Sequence, residues 1–447
     1  MSTGIAEDQA VEPENFKQDL LGGEWKNFAT RLNEFIEIER TLVPGGLVVG
    51  LNGKFGEGKS TFLRMWKNEL SQSDSVHVVR LNAWEYDFVG DALFAILHCL
   101  LDSLQGSSPQ SARLRNALAD FGWFTLGLGD GLAKSIGVHA ISAYEFAGRQ
   151  KDQRQKKRSP GGDAFDALQK RHDAMDKLKI AISGFASHQH KQGTPVLFLV
   201  DELDRCRPNF AIEYLETIKH FFDTKWATFV LAVDRAALRN SAITAFGDDL
   251  DFDEYYRKFV HKEVSLPTPT NISGLISSFR ERFLEVSGLR SVASALTDRN
   301  IVGVRALCLH FRMTPRQIED LFRNIAHVFT QGGESASNNL LFGTLISLVF
   351  RSFDRSIYEH IRNGTLTHDL VMPYIGDLEG GGFWYSILDT GGAMSRIGDH
   401  PELRLKPAAE RHQQRDFMKR GWPRSQSRNH FASIVRRIES LEDWLTD

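Results

Sequence analysis

Gly53-Lys54-Phe55-Gly56-Glu57-Gly58-Lys59-Ser60 fills every fixed position of the pattern GxxxxGK[ST], and the residue types state what chemistry it suits. Glycines let backbone N–H groups close around an anion where a Cβ would obstruct them. The helix expected to follow turns its positive end toward the same anion. A lysine and a hydroxyl at the end of such a loop suit the β- and γ-phosphates of ATP and the Mg2+ ion it carries. Lys59 is therefore expected at the phosphates, Ser60 as a magnesium ligand and Thr61 beside the α-phosphate, with Gly53, Lys54, Phe55, Gly56, Glu57 and Gly58 forming the cradle. A chance glycine turn before a helix is the plainer alternative.

A second constellation is Asp201-Glu202, which ends the apolar run from Pro195 to Val200. In an open parallel sheet such a strand delivers its carboxylates to the carboxyl edge, where ligands bind. Asp201 is expected in the magnesium shell, and Glu202 is placed to polarise the water that attacks the γ-phosphate. Taken alone, the pair is also an ordinary acidic strand end. Asp234-Arg235 closes a further apolar run, 227–233. Asp234 reads as a γ-phosphate sensor or as a helix N-cap, and Arg235 as a phosphate contact or as a surface arginine. Arg205 and Arg316 are further candidates for neutralising transition-state charge, the latter at a helix start after Thr314-Pro315.

These residues need a sheet to hold them. The segment 1–40 carries Phe16, Leu20, Leu21, Trp25, Phe28, Leu32, Phe35 and Ile36 at helical spacing. Apolar runs at 47–51, 76–81, 195–200 and 227–233 read as strands, separated by helical patterns at 61–70, 91–104, 164–187 and 210–222. That alternation predicts an α/β fold with a parallel central sheet over 41–268, complete by Leu266-Pro267 and broken by an insertion at about 105–162. Trp84 and Tyr86 are expected to pack the sheet edge. A helical, lid-like module is expected over 269–330, with helices at 272–286, 301–309 and 315–329. The remaining 331–447 reads as a mostly helical accessory region, with a buried helix at 340–350 and loops at Gly380-Gly381-Gly382 and Gly391-Gly392.

With Asn82-Ala83-Trp84-Glu85-Tyr86, Asp201-Glu202-Leu203-Asp204-Arg205-Cys206, Val233-Asp234-Arg235 and Thr314-Pro315-Arg316 added to the glycine loop, residues 15 to 330 resemble the KAP family of P-loop NTPases. The resemblance implies an additional-strand P-loop fold with a helical C-terminal module, and ATP hydrolysis. Many members carry membrane-spanning helices between the two nucleotide motifs. Here the corresponding stretch at 121–146 is cut by Asp130 and Lys134 into runs of about ten residues, short of the ~20 a spanning helix needs, so no membrane anchor is expected. The resemblance is thus to a bacterial variant without that insertion. Some bacterial relatives take part in excluding phage, and a defence role follows by analogy.

Bulk properties bound the partners. The formal net charge of -3 gives no global reason to bind nucleic acid or anionic membrane. Two local zones do. Residues 149–158 hold six basic residues against Asp152, and 404–437 interleaves Lys419, Arg420, Arg424, Arg428, Arg436 and Arg437 with Phe417, Trp422 and Phe431. The first reads as a solvated loop or an anion-binding one, and the second as an amphipathic helix or as phosphate contacts with base stacking. His188-Gln189-His190 lacks companions and reads as surface. Cys99, Cys206 and Cys308 show no metal or disulfide spacing, and the acidic start lacks the parts of a secretory signal, so a cytoplasmic setting is expected. The expected function is a Mg2+-dependent ATPase that switches conformation or assembly, by self-association or with a partner effector protein. The rival is an ATP-binding scaffold for protein or nucleic acid with little turnover.

Overall fold

The structure is a computed structural model that describes residues 14–21, 23–72, 75–103, 112–114, 116–117, 163–191, 194–221, 223, 227–332, 337–395, 422 and 429–443. The zone 149–158 and nearly all of the expected insertion lie outside them. The chain divides into two compact units: Met1–Phe16, Lys26–Phe55 and Lys59–Leu266 in one, and Lys17–Trp25, Gly56–Gly58 and Pro267–Asp447 in the other.

The first unit is built on strands β1 (Leu47–Asn52), β2 (His77–Asn82), β3 (Val196–Asp201), β4 (Ala227–Val233) and β5 (Lys262–Ser265). They form one sheet in the order β2-β3-β4-β1-β5, with every pairing parallel. The strand between the glycine-loop strand β1 and the acidic strand β3 is β4, which is what defines the additional-strand arrangement. β3 and β4 are buried at every position, so they read in sequence as unbroken apolar runs. Phe198, Val200, Phe229, Leu231 and Val233 share one core cluster with residues of helices Ala92–Ser103, Asp163–Lys191, Pro208–Phe221 and Arg235–Phe246. The rings of Phe198 and Phe229 stack there at 4.3 Å. The intervening Leu197, Leu199 and Val230 are as deeply buried and project from the opposite face by the pleat. Helix Lys59–Leu70 packs on β3 and β4, burying Phe62, Leu63, Met65 and Trp66. Trp66 donates its indole N–H to Asn33 Oδ1 at 3.0 Å, and Phe28 meets Phe62 ring to ring at 5.4 Å. Each such fully buried side chain contributes roughly 1.5–3 kcal/mol, enough to hold the loop ahead of this helix on a firm base.

Two expectations need correction here. The fifth strand, Lys262–Ser265, was not expected, because an exposed edge strand of four mostly polar residues carries no apolar run. Trp84 does not pack the sheet edge. Asn82 accepts from Trp84 N at 3.1 Å and so caps a single helical turn, Ala83–Tyr86, that leaves the indole 55% exposed. Ala83 of that turn is buried in the core, and Tyr86 packs against it.

The second unit is helical. Its core includes Phe279 stacked on Phe322 at 4.8 Å, between helices Ser273–Glu285 and Pro315–Gly332. Helix Asn338–Phe353 is buried throughout 339–350 and contacts helices Pro315–Gly332, Arg355–Asn363, Gly381–Thr390 and His430–Asp443. Gly381 and Gly382 open helix Gly381–Thr390 rather than lying in a loop, with the left-handed Gly380 at its N-cap. Trp422 is buried over Gly343 and Gly391, donates to Thr390 Oγ1 at 3.1 Å and stacks on His430, while Phe431 is fully buried. The expectation that these two rings stack on bases is therefore withdrawn, since rings closed into a core present no face to a ligand. Phe417 and the basic residues from Arg404 to Arg428 lie outside the described residues. Among the described residues, no helix is long and apolar enough to cross a membrane.

Candidate nucleotide site

Parallel pairing puts the carboxyl ends of all five strands on one edge. Asp201 sits level with Asn82 and Ala232, and Val233 with Asn52. The chain leaves β1 at Asn52 straight into the glycine loop, whose first residue is fixed by Gly53 N donating to Val233 O at 3.1 Å. Gly56 and Gly58 then take φ of 82° and 96°, left-handed values that a side chain would strain. Within the second unit, a Cβ on Gly58 would stand 2.5 Å from Trp25 Cη2. Helix Lys59–Leu70 begins directly after, with its N-terminal end at the loop.

Lys59 is almost buried, and its ammonium lies inside the loop. Nζ donates to Gly53 O at 2.6 Å and to Lys54 O at 3.4 Å, and stands 3.4 Å from Asp204 Oδ2. The same Asp204 oxygen accepts from Asp234 N at 2.7 Å. Next in the chain, Ser60 Oγ donates to Asp201 Oδ1 at 3.1 Å, while Arg80 Nη2 approaches Asp201 Oδ2 at 3.3 Å. The donor set fits magnesium. A hydroxyl and a carboxylate are hard oxygen ligands, and two ligands at ~2.1 Å and right angles stand about 3 Å apart, which is the separation found between Ser60 and Asp201. The loop fits a phosphate chain, since its backbone conformation excludes side chains and an ammonium lies within it.

Glu202 has a left-handed backbone, φ 60° and ψ 22°, which is uncommon outside glycine and asparagine and concentrates at functional sites. Its carboxylate pairs with Arg205 Nη1 at 2.9 Å, and the Arg205 guanidinium lies 4.9 Å over the ring of Phe55. Lys54 and Phe55 are exposed, and Glu57, Ser60 and Thr61 are half-buried. Asp234 has the capping geometry: its Oδ1 accepts from Ala236 N and Ala237 N at the start of helix Arg235–Phe246. Arg235 pairs with Asp253 at 2.7 Å and Glu263 at 3.1 Å. Arg316 belongs to the second unit, where its backbone N donates to Gly56 O at 3.4 Å.

Arg80 and Asp204 were not among the expected site residues, yet they touch Asp201 and Lys59. Asp204 had a signal: it follows Asp201 by three residues, and the 3₁₀ turn Leu203–Arg205 brings i and i+3 to one side. Arg80 had a weaker one, as the lone charge in an otherwise strand-like run. Burial pushes the Cys206 thiol up to about 12, so the cysteine of this segment is no nucleophile at neutral pH. Among the described residues, no group of three or more His, Cys, Asp or Glu side chains forms a further metal cluster.

The sequence profile of the KAP family P-loop domain matches residues 25–329. Among curated proteins there is no match. Among solved structures, the Aeropyrum pernix ORC2 protein in its ADPNP–ADP complexes is 14% identical with a TM-score of 0.36, over 97% of this chain and 88% of that chain. Its ADP form is 12% identical with a TM-score of 0.34, over 97% of each chain. At those scores the likeness carries no argument. The profile match spans most of the chain and both nucleotide motifs, and the chain belongs to the KAP family of P-loop proteins.

Proposed function

We propose that this chain is a Mg2+-dependent ATPase whose nucleotide state drives a conformational or assembly switch in a cytoplasmic setting. The observation that carries the reading is Ser60 Oγ within 3.1 Å of Asp201 Oδ1, beside the buried ammonium of Lys59 and the strained backbone of Glu202. The loop from Gly53 to Gly58 holds the phosphates by its backbone, and Lys59 neutralises their charge. Ser60 and Asp201 hold the magnesium ion, which when bound supplies further neutralisation of phosphate charge. Glu202 orients and deprotonates the attacking water once its carboxylate leaves Arg205. Arg205, paired with Glu202 at 2.9 Å, and Arg316 remain the candidates for neutralising transition-state charge. Asp234 caps its helix through Oδ1 and stands at the same sheet edge as a candidate γ-phosphate sensor. Resemblance to bacterial relatives supports a setting in phage exclusion, which plaque counts with and without the protein would test.

Phosphate release by wild type, Lys59→Ala and Glu202→Gln, alongside titration of Mg-ATP binding, tests the reading. Loss of a general base costs about 100-fold or more, so Glu202→Gln should bind Mg-ATP and release phosphate at about a hundredth of the wild-type rate. Equal slow rates in wild type and Glu202→Gln, with binding intact, would instead leave an ATP-binding scaffold.

A further inference from the structure

We propose that Asp204 positions Lys59 and reports whether the phosphate site is filled to the end of β4 and helix Arg235–Phe246. The inference rests on the nucleotide-binding reading above and names the device through which the nucleotide state would act. A single carboxylate oxygen, Asp204 Oδ2, stands 3.4 Å from Lys59 Nζ and 2.7 Å from Asp234 N. The two side chains of the ion pair are 9% and 8% exposed, so neither charge has bulk water to replace a lost partner. A triphosphate in the loop competes for the same ammonium. As Lys59 turns to the phosphates, Asp204 loses its cation and draws its remaining compensation from the donor it already shares, the amide of Asp234.

That amide sits at a junction. The Asp234 side chain caps helix Arg235–Phe246 through Ala236 N and Ala237 N, and the next amide, Arg235 N, donates to Asn52 Oδ1 at 3.1 Å. Residues 234 and 235 are therefore gripped from the acidic turn on one side and from the last residue of β1 on the other. The Arg235 guanidinium in turn holds Asp253, ahead of Tyr256 beneath it at 5.4 Å, and Glu263 on β5. A shift at Asp234 thus has a polar route to the far edge of the sheet without crossing the apolar core.

Hydrogen exchange on the full chain, read on peptides covering 234–246 with no nucleotide, Mg-ADP and Mg-ATP, tests this. In wild type, Mg-ATP should change exchange there about 5-fold or more, and Asp204→Asn should abolish that response while Mg-ATP still binds. Because the asparagine no longer competes for the ammonium, its Mg-ATP dissociation constant should fall about 5-fold. Should Asp204→Asn fail to fold, Lys59→Met approaches from the other partner: without nucleotide, its 234–246 exchange should match that of Mg-ATP-bound wild type. A wild type that binds Mg-ATP with no change at 234–246, or an Asp204→Asn that keeps the response, overturns the role of Asp204 alone. Absence of any Mg-ATP binding to wild type overturns the nucleotide reading with it.

Discussion

Lys59→Ala is the natural way to disable a phosphate loop, and this structure predicts that it does more than remove affinity. In this structure the ammonium is one half of an ion pair with Asp204 at 3.4 Å, with side-chain exposures of 9% and 8%. At an effective dielectric of 20, unit charges at that distance attract by about 5 kcal/mol before desolvation is counted. Removing one partner of so buried a pair typically costs about 3–5 kcal/mol, because the survivor is left uncompensated. Asp204 keeps the Asp234 N–H at 2.7 Å, and one hydrogen bond to a charged group offsets about 1.5 kcal/mol of that. The expected loss is about 1.5–3.5 kcal/mol without nucleotide. Urea unfolding, followed on the transition of the unit that contains the sheet, measures it. The double variant Lys59→Ala/Asp204→Asn should recover most of the loss, since no charge then remains to be compensated. If Lys59→Ala unfolds at the wild-type midpoint, or if the double variant loses the sum of the two singles, the pair does not stabilise the fold and the reasoning fails. A Lys59→Ala control for turnover should accordingly be run where that variant is still fully folded.

Other expectations follow from single contacts. Gly58→Ala combines a left-handed backbone with a Cβ 2.5 Å from Trp25, so it should cost about 2–4 kcal/mol and abolish Mg-ATP binding by calorimetry, whereas an alanine tolerated with full affinity would contradict the loop geometry. Burial lowers the pKa of His261, His77 and His430 from 6.5, so the unfolded chain binds protons that the folded one resists. Their contribution to stability is complete above pH 6.5 and is lost as pH falls through the lower folded values. His261→Asn, whose amide oxygen falls where Nδ1 accepts from Val48 N, should flatten part of that acid-side slope in thermal melts taken between pH 7.5 and pH 5, the range over which about one proton per histidine is taken up.

The chemistry of this chain was legible wherever one residue type had one use. A run such as Val196 to Val200, too short for a buried helix and closed by Asp201, reads as a strand covered on both faces, and a GxxxxGKS loop after such a run reads as a phosphate cradle. The additional strand between β1 and β3 was legible only through the family resemblance, since the apolar runs by themselves give parallel strands but not their order. What escaped notice was short or used twice. Lys262–Ser265 pairs through its backbone alone, so its side chains carry no record of the pairing. Trp84 is turned outward by a cap two residues before it, and Trp422 is turned inward by partners at Gly343 and Thr390, so neither ring's environment is written in its neighbours. Asp204 was visible as a letter but not as a contact, because its partners lie at positions 59 and 234 and only the folded edge brings them together.

The backbone of Glu202 sets a limit on how far this protein can be improved. A left-handed residue with a Cβ lies about 1 kcal/mol above a glycine in the same conformation, so a sequence drifting toward greater thermal robustness is drawn to replace the side chain proposed above to activate water. Variants recovered only for heat resistance should therefore accumulate small residues at this strand end, trading turnover for rigidity.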